Sequence, residues 1–198
     1  MKIAAVIMAA GQSSRFKDCK HLAQIGESCL LRLVYKSLQQ TNIDDIYIIT
    51  GHWHQQISQY FAQHTNQHIN ILYNPNWQAG IGNSIAFAVS KLTDKYNAIL
   101  ITLADQVAIT GAEYQQLLDT FTNQQADISC AQYNHTKGVP AIFRHTTFAE
   151  LCKLAGDKGA KKLLNSRQFN SVTCTLDSAA IDIDTQQQLR QYLAHKMG

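Results

Sequence analysis

Short runs of aliphatic and β-branched residues alternate along this chain with stretches whose apolar residues recur every three or four positions, and few folds accommodate that rhythm. Strands are expected at Ile3 to Met8, Ile46 to Thr50, Ile69 to Tyr73, Ala98 to Leu103, Ile128 to Gln132, Ala141 to Arg144 and Val172 to Leu176. Between them the spacing predicts helices: Leu30 to Leu38, where Leu30, Leu31, Val34 and Leu38 share a face, then about Gln55 to Ala62, Ile81 to Leu92, Glu113 to Phe121, Thr147 to Leu154, Ala160 to Leu164 and Gln186 to Ala194. Strand and helix in alternation imply an α/β fold, a mostly parallel sheet with helices on both faces. At 198 residues the chain buries a sizeable core, and no Gly/Ser-rich linker, repeat or charge block divides it, so residues 1–198 are expected to form one domain.

Composition removes several classes of function. Seventeen basic against fourteen acidic residues leave +3, with no basic run, which argues against nucleic acid as a partner. The longest apolar run, Ile3 to Ala10, is far shorter than the ~20 residues that span a bilayer, so no membrane partner is expected. That run follows Lys2 as in a short leader, yet a strand opening a domain explains it and also the glycine after it. The five cysteines are odd in number, widely spaced and without a CxxC pair, the usage of a reduced, cytoplasmic protein. His52 and His54 flank Trp53, but no Cys or carboxylate cluster completes a zinc ligand set around them.

In an open parallel sheet the ligand lies beyond the carboxyl ends of the strands, which directs attention to the residues after Met8, Thr50, Tyr73 and Leu103. The first of these loops runs Ala9-Ala10-Gly11-Gln12-Ser13-Ser14-Arg15-Phe16-Lys17-Asp18-Cys19-Lys20. Small residues admit a ligand to the backbone, hydroxyls and amides donate to phosphate oxygens, and Arg15 and Lys20 bring positive charge. It is neither GxxxxGK[ST] nor GxGxxG, and a solvent-exposed basic turn is the competing reading. The apolar strand ending at Leu103 delivers Asp105 to its carboxyl end, suited either to Mg²⁺ beside a triphosphate or to capping a turn. Asp182 and Asp184 alternate with isoleucines and are expected to project to one side as further oxygen ligands, although Asp184 also stands where a helix cap would. Gly80, Gly82 and Ser84 open a helix with little side-chain bulk, which suits a nucleoside against main chain, and Gly51 with His52 borders the same edge.

Taken together, these segments resemble the MobA-like nucleotidyltransferases, most closely the MocA branch of molybdenum cofactor cytidylyltransferases. The likeness runs nearly end to end: the first loop follows A-A-G-x-S-S-R-F-x-x-x-K, Asn74 to Ile85 follows N-P-x-W-x-x-G-x-G-x-S, and Leu103 to Gln106 follows L-x-D-Q. Gly138 to Phe143, Gly156 to Lys161 and Asp182 to Thr185 resemble the G-H-P-v-l-F, G-D-x-G-A-R and D-I-D-T segments. Lys17 stands where the pattern has glycine, Val107 where it has proline and Val139 where it has histidine. The resemblance implies a Rossmann-like three-layer fold of the nucleotide-diphospho-sugar transferase type. It implies Mg²⁺-dependent transfer of CMP from CTP, or of another NTP's nucleotide, to a phosphorylated acceptor such as molybdopterin, with transient delivery to a molybdoenzyme. On that reading Lys20, Arg15 and Asp105 are catalytic, and Asp105, Asp182 and Asp184 hold the metal. Ala9, Ala10, Gly11, Ser13, Ser14, Gly80, Gly82, Ser84 and Gln106 bind the nucleotide. A sugar phosphate as acceptor, and a nucleotide-binding module without turnover, are the two alternatives.

Overall fold

The computed structural model describes residues 1–65 and 68–197. A seven-stranded sheet runs through the described residues in the order β5-β4-β1-β6-β8-β7-β9. Its strands are β1 (Ile3–Ala9), β4 (Asp45–Thr50), β5 (Asn70–Tyr73), β6 (Ala98–Leu103), β7 (Ile128–Tyr133), β8 (Thr136–Arg144) and β9 (Ser171–Thr175). β4, β5 and β6 join β1 in parallel, whereas β8 runs antiparallel to both β6 and β7. A short hairpin, β2 (Gln24–Ile25) with β3 (Ser28–Cys29), stands apart from this sheet. The fold is therefore the expected mostly parallel α/β sheet with helices on both faces.

β1 shows why such a strand reads as one unbroken apolar run. All seven of its residues are buried, but alternate ones serve different cores: Ile3, Ala5, Ile7 and Ala9 point to one face, and Ala4, Val6 and Met8 to the other. The first face receives α1 (Leu30–Leu38) through Leu30, Leu31, Val34 and Leu38. Also on it are α2 (His54–His64) through Ile57 and Phe61, and α4 (Gly111–Asn123) through Tyr114, Leu117, Leu118 and Phe121. The second face receives α3 (Ile81–Leu92), α5 (Phe148–Leu151) and α6 (Lys161–Leu164). The final helix, α7 (Gln186–Met197), lays Leu189 and Tyr192 against the first core. No helix among the described residues is long and apolar enough to cross a membrane.

Element bounds depart from the sequence expectation where capping or turn geometry intervenes. α4 begins at Gly111 because Thr110 and Glu113 form a reciprocal capping box: the Glu113 N–H donates to Thr110 Oγ1 (3.3 Å) and the Thr110 N–H to Glu113 Oε2 (2.8 Å). β8 begins at Thr136, before the expected Ala141, because Asn134 and His135, both at positive φ, make a two-residue turn that pairs Tyr133 with Thr136. The sheet order places the outward paths of β4 and β6 on opposite sides of β1, so a crevice opens beyond the carboxyl ends of β1 and β6.

Candidate active site

The loop after β1 is a tight, anchored structure. The Ser13 carbonyl accepts from the N–H groups of Phe16 (2.9 Å) and Lys17 (3.2 Å), with Ser13 at φ +57° and Lys17 at +62°. Phe16, 5% exposed, plugs the loop into the core beneath it. On the outer side the Trp53 indole N–H donates to the Gln12 carbonyl (3.0 Å), and the His52 ring stands edge-on to both Trp53 and Trp77, at 4.7 and 5.2 Å. His52 thus belongs to an aromatic brace, and His54 Nδ1 is engaged by Thr50 Oγ1 at 2.8 Å. Gly51 must be glycine here, since a Cβ would lie 2.5 Å from the Ala10 carbonyl and from Trp77.

Lys17 occupies a backbone region where L side chains are strained by roughly 1–2 kcal/mol, and it is exposed. Glycine at this position relieves that strain and costs back some unfolded-state entropy. Lys17→Gly is expected to raise stability by about 0.5–1 kcal/mol, read as a melting temperature higher by ~1–4 °C. A lower melting temperature would show that the lysine side chain contributes more than its backbone loses.

Four charged groups meet at the mouth of the crevice. Lys20, 7% exposed and in a short 3-10 turn (Lys20–Leu22), places Nζ 2.7 Å from Asp105 Oδ2 and 2.8 Å from Asp184 Oδ1. Arg15 closes on the other oxygen of Asp184 at 2.7 Å, from an exposed position. Burial pulls the Lys20 pKa down, but the charge and hydrogen bond of Asp105, then those of Asp184, outweigh it and leave the pKa above its ordinary 10.5. Burial pushes Asp184 up, but Lys20 and Arg15 win and leave it below its ordinary 3.8. The Asp184 contribution to stability is therefore complete above 3.8 and is lost as pH falls through its lowered pKa; that of Lys20 is complete below 10.5 and is lost as pH rises through its raised one. Between these limits, denaturation midpoints measured across pH are expected to show no contribution from Lys20 or Asp184 to any slope.

A cavity of about 410 Å³ gathers Ala10, Gly11, Ser13, Ser14, Arg15, Lys20, Gly80, Ser84, Asp105 and Asp184, which come from the ends of four chain segments. Four expected residues lie outside its lining. Ala9 is the last residue of β1 and packs into the first core. Gly82 faces the 155–156 backbone, where a Cβ would come within 2.8 Å of the Ala155 carbonyl, so its smallness serves packing. Gln106 is buried and donates through Nε2 to the carbonyls of Val139 (2.9 Å) and Ala179 (3.0 Å), tying the end of β6 to β8 and to the segment leading to Asp184. Asp182 is exposed, and among the described residues no group of three His, Cys, Asp or Glu side chains is placed to hold a metal; of the three expected carboxylates, Asp105 and Asp184 are the two that the cavity brings together.

Gly80, at φ +98° with Asp157 and Gly156 2.5 Å from where a Cβ would be, turns the chain into α3. Ser84 accepts from Asn74 Nδ2 (3.0 Å), fixing the start of α3 to the end of β5. His21, Trp77, Gln78 and Asp157 also line the cavity and were not among the residues expected from sequence. The signal for Trp77 lies in its neighbourhood to Gly80.

The residue chemistry fits a hard divalent cation. Asp105 Oδ1 is buried and has no hydrogen-bond partner, and Asp105 Oδ2 with Asp184 Oδ1 converges on a single positively charged atom. Two carboxylates completed by phosphate oxygens and water are a sufficient protein contribution for Mg²⁺.

Residues 5–172 match the MobA-like NTP transferase domain. The bifunctional protein GlmU of Francisella tularensis subsp. novicida (strain U112) is 26% identical over 174 residues, covering 87% of this chain and 36% of that one. The chain thus spans about a third of the length of the curated relatives it matches. Rv0371c from Mycobacterium tuberculosis H37Rv has a similar crystal structure, with a TM-score of 0.82 and 23% identity over 98% of this chain and 99% of that one. A second structure of that protein is a complex with manganese, at a TM-score of 0.79, 23% identity and the same coverage of both chains. CMP:2-keto-3-deoxy-manno-octonic acid synthetase complexed with CTP superposes at a TM-score of 0.80 with 14% identity over 100% of this chain and 99% of that one. These likenesses establish the fold as that of the nucleotidyltransferases.

Proposed function

Because the chain belongs to the MobA-like NTP transferase domain family, we propose that residues 1–198 form one nucleotidyltransferase domain that moves CMP from CTP to a phosphorylated acceptor, molybdopterin, and releases pyrophosphate. The observation that carries this reading is the buried Lys20 ammonium at the mouth of the crevice, with Arg15 beside it and two carboxylates that fit a divalent metal. Ala10 and Gly11 offer close backbone approach, and Gly80 and Ser84 border the nucleoside end of the same cavity.

A phosphate monoester has a second pKa of about 6 and is largely ionised at neutral pH, so the acceptor attacks without a catalytic base. The chemical demand is then to hold two anions together in line and to stabilise the charge that builds on the departing pyrophosphate. Lys20 and Arg15 meet that demand from the loop side. Asp105 and Asp184 would hold Mg²⁺, whose chemistry when bound is to neutralise phosphate oxygens as a Lewis acid.

A second hollow of about 300 Å³ shares Ile81, Leu103 and Asp157 with the first, and offers room for the acceptor. Its floor includes Ile85, Ile101 and Val139, and Lys137, Lys158 and Lys161 border it. An apolar floor beside cationic groups suits an acceptor with a flat ring face and a phosphate, which supports molybdopterin. A sugar phosphate is the second reading, favoured by the likeness in fold to a structure described as a putative glucose-1-phosphate thymidylyltransferase from Bacillus anthracis. Pyrophosphate release measured with each of CTP, GTP, ATP and UTP against molybdopterin and against sugar phosphates tests both. Turnover with CTP and molybdopterin is expected; turnover with sugar phosphates alone selects the second reading, and nucleotide binding without pyrophosphate from any pair rejects transfer.

A further inference from the structure

The Lys20 ammonium stands between two carboxylates, 2.7 Å from Asp105 Oδ2 and 2.8 Å from Asp184 Oδ1, on a buried side chain. Those are the two oxygens that converge for a divalent ion. Arg15 holds the other oxygen of Asp184 at 2.7 Å from an exposed position, so each oxygen of Asp184 has a cationic partner within the chain. Asp105 Oδ1, by contrast, is buried and unpartnered.

Mg²⁺ holds carboxylate oxygens at about 2.0–2.1 Å. An ion on Asp105 Oδ2 and Asp184 Oδ1 would stand in the space that the ammonium fills, and two cations in contact repel strongly in a partly desolvated site. Lys20 and the ion are therefore alternatives at these oxygens. Withdrawing the ammonium with nothing to receive it would leave buried charge uncompensated. Phosphate oxygens in the same cavity would receive it with charge-assisted hydrogen bonds, and the flexible four-carbon stem of a lysine permits the turn.

We propose that Lys20 is an exchangeable counter-ion: its ammonium holds Asp105 and Asp184 until the phosphates of a nucleotide draw it away, and the same two oxygens then serve the divalent ion. This rests on the nucleotidyl-transfer reading above and adds to it an order of events. The ion alone competes poorly for the carboxylates, and the nucleotide opens them to it.

Mn²⁺ binding followed by paramagnetic resonance, without nucleotide, tests this on the full chain and on Lys20→Gln, which removes the charge and keeps a hydrogen-bond donor. Lys20→Gln is expected to bind Mn²⁺ about tenfold more tightly than the parent, the effect of losing one charged competitor. Its melting temperature is expected to rise with Mn²⁺ by more than the parent's, because the ion replaces the missing charge. Adding Asp105→Asn to Lys20→Gln is expected to abolish the gain. Arg15→Ala is expected to change the affinity by about threefold at most, since an exposed pair is weak. Equal Mn²⁺ affinity in the parent and Lys20→Gln overturns the exchange, as does a gain that survives Asp105→Asn or that Arg15→Ala reproduces in full. A Lys20→Gln chain that folds only with Mn²⁺ present supports it, and one that fails to fold even then shows that the ion does not replace the lysine and overturns it. Calorimetric binding of CTP with Mg²⁺ to the parent is measured alongside: its absence defeats the nucleotidyl-transfer reading, whereas a negative Mn²⁺ result with CTP still bound defeats the exchange alone.

Discussion

Lys20→Ala is expected to lower kcat/KM for pyrophosphate release by 100-fold or more, while also destabilising the protein. The ammonium is the most buried positive charge at the crevice and lies where negative charge accumulates on the leaving group; removing one such preorganised donor typically costs 10²–10³ in rate. Its loss leaves Asp105 Oδ2 without the ion pair that now satisfies it, and Asp184 with only the exposed Arg15. Truncating one partner of a largely buried pair costs about 3 kcal/mol, whereas the exposed Arg15 arm is worth well under 1 kcal/mol. Chemical denaturation and a coupled pyrophosphate assay read the two effects separately. Turnover equal to that of the parent would show that Lys20 serves the fold alone.

Asp105→Asn is expected to keep the fold and to lose metal-dependent pyrophosphate release by a factor on the order of 10³. The substitution preserves shape and an acceptor oxygen for Lys20 Nζ, so the ion-pair geometry at 2.7 Å survives as an ordinary hydrogen bond. What disappears is the negative charge whose second oxygen, Oδ1, is buried and unpartnered. A hard cation bound through two carboxylates loses much of its affinity when one becomes neutral. Titration with Mn²⁺, followed by paramagnetic resonance, is expected to show weaker metal binding to the variant, and undiminished binding together with full turnover would remove Asp105 from the metal site.

The sheet and its helices were legible because strands buried on both faces announce themselves. β6 runs Ala98–Leu103 and α3 Ile81–Leu92, as the apolar pattern predicts, and α1 follows its Leu30, Leu31, Val34, Leu38 stripe. The hairpin at Asn134 and His135 was not legible, since its turn lacks the glycine that marks such loops and the strand beyond it, Thr136-Lys137-Gly138, is polar and half exposed. In the site, residues fixed by main-chain position, such as Gly11, Lys20 and Asp105, could be placed from the ends of strands. Side chains whose direction depends on tertiary packing could not: Gln106 turns inward to two carbonyls, and Asp182 turns out to solvent although alternation put it beside Asp184. His21 was hidden by its neighbour, because a histidine following a lysine carries no period or motif of its own.

The Gln106 amide acts as a strut between three distant stretches of chain. Asp105 precedes it directly, and Asp184 lies five residues beyond the Ala179 carbonyl that it holds, so the gap between two carboxylates separated by 79 positions is gauged by one pair of hydrogen bonds. The other end of the strut rests on Val139, which also borders the second hollow. Any molecule that wedges this hollow apart leans on the same beam that ties the two carboxylate-bearing segments together, and mechanical tolerance at the carboxylate pair is thereby shared with whatever occupies the room next door.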